Sequence, residues 1–102
     1  MITHMDVFVT REDYRFVWDS DKATANVAKH GVTFDQALEV FFDPLHELVD
    51  ASVDEESRQA AIGLDFQRHL LFVVNIVVEG DTVRIISARL ATRGELKIYE
   101  NS

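Results

Sequence analysis

Two rhythms divide the chain. Between residues 19 and 44 apolar positions return every three or four residues, and after residue 50 they gather into short blocks. In VTFDQALEVFFDP, Phe34, Ala37, Leu38, Phe41 and Phe42 fall on one helical face. Thr33 and Gln36 form a T-x-x-Q capping box at its start, and Pro44 stops it. The preceding WDSDKATANVAKHG predicts another helix. Asp19 or Ser20 caps its first amides, Asp21 suits the positive end of the dipole, and alanines carry it to Lys29 and His30. Gly31 then supplies the left-handed position that closes such a helix. Ahead of it, YRFVWD sets Phe16 and Trp18 against Arg15 and Val17, the pattern of a short edge strand.

Residues 56–63, 69–78 and 82–89 read as three strands joined by the turns LDFQR and EGD, and residues 45–50 add a fourth. The middle strand is apolar on both faces, as a covered central strand is. Thr92 and Glu95 make a second capping box, opening a helix through Leu96 and Tyr99. The expected class is α+β: two N-terminal helices packed on an antiparallel three- to four-stranded sheet, with a C-terminal helix. The expected organisation is one domain over residues 1–102, with residues 1–14 as an N-terminal extension.

Composition narrows the chemistry. The chain has no cysteine, which rules out a disulfide scaffold, a thiolate metal site and a cysteine nucleophile. Its longest apolar run, LLFVVNIVV, is nine residues and broken by Asn75, too short to span a bilayer. MITHMDVFVTREDY meets acids and an arginine before any long apolar stretch, so no signal peptide is expected. These readings predict a cytoplasmic protein with no membrane partner. The formal net charge of −8 argues against a sequence-independent grip on nucleic acid, but a local cationic cleft remains compatible with it.

Against that acidity, RIISARLATRGE concentrates Arg84, Arg89 and Arg93. Strand alternation puts Arg84 and Arg89 on opposite faces unless a bulge intervenes. A bulge or a strand-end cleft would bring Arg89 and Arg93 together beside the helix start at Thr92, a natural anion site. The competing reading pairs these arginines with surface carboxylates. Lys29 and His30 end a helix whose dipole favours a protonated imidazole, which suits a general acid; both residues equally serve as cationic caps. Glu56 and Arg58 share a strand face, as a base beside a cation or as a structural ion pair. His4, His30, His46 and His69 show no ligand spacing, so no metal site or cofactor is expected.

Taken together, WDxxK followed by Asn26, then KHGVTFDQAxxVFxDP, DExxRxxxIG, RIISARxATRxE and a final YE resemble the BrnT family, over residues 16–100. Members are toxins of type II toxin–antitoxin modules, small ribonucleases with a fold similar to the RelE and ParE toxins. The resemblance implies a metal-independent endoribonuclease that cleaves RNA and inhibits translation. It also implies a BrnA-type ribbon-helix-helix antitoxin as partner, with operator DNA reached only through that antitoxin. Lys29 and His30 match the family's KHG block, Glu56 and Arg58 its acid–arginine block, and Arg84, Ser87, Arg89, Thr92, Glu95 and Tyr99 its last. Cleavage through the RNA 2′-hydroxyl needs an acid, a base and cations for the phosphorane. On this assignment His30 is the acid, Glu56 the base, Arg58 and Arg89 stabilise the phosphate, and Lys29, Arg93 and Arg84 bind substrate. Trp18 and Tyr99 would stack bases, or belong to the core. Two departures stand out: Ser57 replaces the second acid before the arginine, and Gly94 dilutes the basic charge after SAR. An inactive, antitoxin-binding co-regulator on the same fold is the alternative.

Overall fold

The computed structural model describes residues 5–101. DVFVTR and YRFVWD form a hairpin, β1 (Asp6–Arg11) and β2 (Tyr14–Asp19), closed by Glu12 at a φ of 53° and Asp13. The expected N-terminal extension therefore contains a strand, Asp6–Arg11, and the start of a second; its first four residues, His4 included, lie outside the described residues. Asp19 ends β2 and caps α1 (Ser20–His30), its carboxylate accepting from the Asp21 and Lys22 amides at 2.8 and 3.2 Å. Gly31 closes α1 at a φ of 70°, its amide donating to the Val27 carbonyl. The Thr33–Gln36 capping box opens α2 (Phe34–Glu39), which tightens into a 3-10 turn over Val40–Phe42. Next come β3 (Glu47–Asp50), β4 (Gln59–Leu64), β5 (Leu70–Val78), β6 (Thr82–Leu90) and α3 (Arg93–Glu100).

The α+β expectation holds at the level of class, and its layout is corrected. The strands form one six-stranded mixed sheet ordered β1-β2-β6-β5-β4-β3. All pairings are antiparallel except β2 with β6, where Phe16 lies against Val83 and Val17 against Arg84. The two helices are not N-terminal, because the hairpin precedes them. Nor is YRFVWD an edge: Phe16, Val17 and Trp18 are consecutive buried residues, since β2 sits between two neighbours and is covered on both faces. The strand expected over residues 56–63 begins only at Gln59, and Glu56 instead closes a small turn with Val53.

One face of the sheet carries the core. Phe16, Trp18, Ala61, Leu71, Val73, Val83, Ile85 and Ala88 pack there against Val32, Phe34, Ala37, Leu38, Val40 and Phe41. The close approach of the 3-10 turn demands Gly63, because a Cβ there would lie 2.8 Å from Val40 Cγ1 and 2.9 Å from His46 Cβ. On the opposite face, where Val17, Ala60 and Ile62 are also buried, α3 docks near β4 without fully burying any of its own residues.

A buried amide secures α1 to the sheet. β2 pairs with β6 only as far as Arg84, then turns away into α1, leaving the later edge of β6 without a strand. Asn26, 6% exposed, fills the gap. Its Oδ1 accepts from the Ala88 amide at 3.1 Å, and its Nδ2 donates to the Ala88 and Val32 carbonyls at 2.8 and 2.9 Å. Asn26→Ala leaves these backbone groups buried and unpaired, at about 1–3 kcal/mol for each unsatisfied group. Urea denaturation is expected to show the variant destabilised by about 3 kcal/mol or more, with an unchanged slope if the sheet itself persists.

Candidate functional site

The register of β5 against β6 decides where the arginines go. Val74 lies opposite Ser87 but Asn75 opposite Ile85, so Ile86 is an extra residue bulged out of β6. The bulge resets the alternation. Arg84 pairs with Ile76 and Arg89 with Phe72, and both guanidinium groups leave the same side of the sheet, away from the core. Arg58, just before β4, lines a hollow of about 310 Å³ with Ile76, so it joins that side. Arg58 and Arg84 thus stand on strands about 10 Å apart, and Arg89 about 13 Å farther along β6.

Each of these arginines has a carboxylate partner. Arg58 donates to Glu56 at 3.0 Å and Arg84 to both Asp6 oxygens at 3.0 and 3.4 Å. Arg89 makes the most confined pair: Nη1 and Nη2 meet the two Glu95 oxygens at 2.8 and 2.9 Å, with the guanidinium carbon 4.3 Å from the centre of the Phe72 ring. Glu95 also accepts from the Thr92 amide at 2.8 Å, completing the second capping box. The Arg89 hydrogen bonds hold the Glu95 carboxyl below the usual carboxylate range, against a smaller upward push from burial. Glu95 in turn raises Arg89 still further. Arg93 is exposed in the first turn of α3.

Four residues beyond Glu95 on α3, the Tyr99 hydroxyl donates to Asp43 Oδ2 at 2.7 Å. Burial and that carboxylate push Tyr99 up to about 12. Its hydroxyl thus joins α3 to the segment after the 3-10 turn. Trp18 is 4% exposed and packs edge-on against Phe34 at 5.8 Å, so its ring belongs to the core and not to a stacking surface.

The imidazoles occupy a separate place. His30, at the end of α1, lines a groove of about 210 Å³ with Gly31, Val32, Gln36, His69 and Leu90. Lys29 precedes it in the last helical turn. Opposite, His69 Nδ1 lies 3.0 Å from Asp65 Oδ2, and that carboxylate side chain is fully buried while the imidazole is half exposed. Asp65 also accepts from Gln36 Nε2 at 3.0 Å and from the Gln67 and His69 amides at 2.9 and 2.8 Å. Burial pushes the Asp65 carboxyl up, but these hydrogen bonds outweigh it and hold the group below its ordinary value. Among the described residues no cluster of three or more His, Asp or Glu could hold a metal ion.

The sequence candidates therefore divide by position. His30 and Lys29 stand at the end of β6, on the core side, with Arg89 and Arg93 across that same strand end. Glu56, Arg58 and Arg84 lie at the other end of the sheet, about 23 Å away along β5 by the seven residue steps from His69 to Ile76. Glu56, with a side chain 74% exposed, does not face His30 across one site.

A family model for the ribonuclease toxin BrnT of type II toxin–antitoxin systems matches residues 18–95, well over half of the chain. The chain belongs to the BrnT family. No curated protein matches it. The BrnT match begins at the end of β2 and stops at Glu95, so it takes in α1, the His30 groove, all of β6 and the Arg89–Glu95 pair. It leaves β1 outside, and with it Asp6, the partner of Arg84. Asp65 and His69 fall within the match, yet their pairing is not legible in the sequence, where LDFQR reads as a plain turn. The available signal was an acid four residues before a histidine, bracketing a tight connection between two apolar strands.

Glu95→Gln keeps the geometry of the capping box while removing the charge beside Arg89. The folded Glu95 carboxyl is depressed, so its contribution is fully present above the unfolded value near 4.3 and is lost as pH falls through the lower folded value. Thermal melts are expected to show the variant about 1–2 kcal/mol less stable at pH 7, with the difference shrinking as the pH is taken below about 4. An equal difference at both pH values would show that the charge plays no part.

Proposed function

We propose that this BrnT-family chain is a metal-independent endoribonuclease that cleaves RNA through its own 2′-hydroxyl, inhibits translation, and is restrained by a BrnA-type ribbon-helix-helix antitoxin. Operator DNA is then reached only through that antitoxin. The observation that carries the reading is the bulge at Ile86, which puts Arg84 and Arg89 on the same side of the sheet as Arg58, at spacings a single-stranded phosphate backbone can follow. All three arginine side chains stay partly exposed on that side. The exposed ion pairs of Arg58 and Arg84 are worth about 0–1 kcal/mol each, so a phosphate can displace Glu56 or Asp6.

The division of labour follows the geometry. Arg58 and Arg84 hold the backbone of the RNA. At the strand end, Arg89 and Arg93 stabilise charge developing on the phosphorane, each preorganised donor contributing on the order of 3 kcal/mol. His30 is the acid for the departing 5′-oxygen, with Lys29 as an electrostatic aid. Glu56 fits this scheme as the partner that orders Arg58 rather than as the base.

Production of the protein alone is expected to arrest growth and fragment cellular RNA, and co-production of the antitoxin to restore growth. Intact RNA and normal growth at high soluble expression would favour the inactive co-regulator, to which the paired arginines and the −8 charge lend some support. In purified form, Arg84→Ala is expected to weaken RNA binding and reduce the magnitude of the salt slope by about 0.7, the single-strand value for one lost phosphate contact. An unchanged slope would remove Arg84 from the binding surface.

A further inference from the structure

We propose that His69 is the general base opposite His30, making the groove between the end of α1 and the start of β5 the place where the RNA phosphodiester is cleaved. This rests on the ribonuclease reading and supplies the base that Glu56 is too distant to be. The two rings line one groove of about 210 Å³, whose remaining walls are Gly31, Val32, Gln36 and Leu90. The larger hollow beside Arg58 is lined by Ser57, Arg58, Gln59, Ile76 and Val77, none of which exchanges a proton readily near neutral pH.

The chemistry of the partners fixes which nitrogen acts. An ionised carboxylate only accepts hydrogen bonds, so the Nδ1 beside Asp65 Oδ2 carries the proton and donates it to that oxygen at 3.0 Å. In neutral His69 the lone pair is then on Nε2, the nitrogen not engaged by Asp65. Asp65 cannot swing away: its side chain is fully buried and bound by Gln36 of α2 and by two amides of its own turn. It is a positioning residue, fixing tautomer and ring orientation as the carboxylate does in a Ser-His-Asp triad. The His30 ring makes no hydrogen bond among the described residues, leaving both its nitrogens for substrate. Charged neighbours of the lining residues are Lys29 beside His30 on α1, Asp35 beside Gln36 on α2, Arg68 beside His69 and Arg89 beside Leu90 on β6, while Glu39 of α2 is engaged by the Phe66 amide.

The step balances without another reactant. His69 Nε2 takes the proton of the 2′-hydroxyl, and O2′ forms a bond to phosphorus as the bond from phosphorus to O5′ breaks. Protonated His30 gives its proton to O5′. The products are a 2′,3′-cyclic phosphate and a 5′-hydroxyl end, and the two imidazoles return to their starting states by exchange with water. No metal enters the scheme.

The test is single-turnover cleavage of an end-labelled RNA by full-length protein across pH, with melting curves for every variant. Wild type is expected to rise with pH as His69 loses its proton and to fall again as His30 does. His69→Gln is expected to lose about 10²-fold or more and to abolish the rising limb, whereas His30→Gln abolishes the falling one. Asp65→Asn retains acceptors for the turn amides but not the charge, so a positioning role predicts a displaced rising limb, and a purely structural role an unchanged profile with a lower melting temperature. A second measurement needs no variant. Adding an oligoribonucleotide with a 2′-deoxy residue at the cleavage position should perturb the His30 and His69 imidazole NMR signals together. If wild type cleaves RNA and His69→Gln cleaves within about threefold of it with the same pH profile, His69 is not the base and the ribonuclease reading survives. Perturbation of His30 alone would equally overturn the pairing. If wild type leaves RNA intact, both proposals fall.

Discussion

The fold turns on one carboxamide. Where β2 departs from the sheet to become α1, the outer edge of β6 would be left with bare backbone groups in the protein interior. Asn26 meets them as another strand would, offering one acceptor and one donor to the same residue, Ala88. Its second donated bond, to Val32, fixes the chain just beyond Gly31. The position of α1, the direction in which His30 leaves it, and the wall of the groove formed by Gly31 and Val32 all depend on this side chain. Burying an amide is costly unless all its groups are paired, and here no side-chain nitrogen or oxygen that is buried lacks a partner among the described residues. A hydrophobic residue of similar size would fill the volume and strand the backbone of β6.

Electrostatics on the far side of the sheet follow a different logic. An acidic chain has spare carboxylates, and it places one on each arginine of the open face: Glu56, Asp6 and Glu95. These pairs are graded. The first two are partly solvated, so their attraction is screened and little is lost when a phosphate takes over. The third is a two-point contact stacked on Phe72 and shared with the cap of α3, so displacing it disturbs the helix as well. The helix has little apolar burial to fall back on. Glu95 and Tyr99, one turn apart, hold it through Arg89 and Asp43, while Leu96 and Ile98 remain 39% and 44% exposed.

What could be read from the sequence was local chemistry. Both capping boxes, the Gly31 terminus, the central apolar strand and the opposite facing of Arg84 and Arg89 in any strand without a bulge rest on residues a few positions apart. Failures came where distant segments meet. Phe8 points outward from β1 and is 74% exposed, so DVFVTR lacks the clean alternation of a half-buried strand. Nothing near YRFVWD announces that its neighbour is the parallel β6, 67 residues on. The candidate site divides in the same way. Glu56 and Arg58 were correctly joined to each other, but their distance from His30 depends on the length of β5. His69 was weighed only as a metal ligand, because its partner Asp65 lies in a turn, where the spacing that signals contact on a helix carries no weight.

The pairing of β2 with β6 also has a meaning in time. The groove needs His30 from one end of the chain's middle and Leu90 from near its close, and Asn26 finds Ala88 across 62 positions. Contacts of such long range are the last rewarded during folding, since the entropy of closing the loop must be met before any of them forms. A growing chain released only as far as β5 has its hairpin and its capped helices but nothing to anchor them. Whatever chemistry the groove performs therefore begins late, when the final strand slots between β5, made just before it, and β2, made long before. A partner that reaches the unfinished sheet first meets a protein still without its teeth.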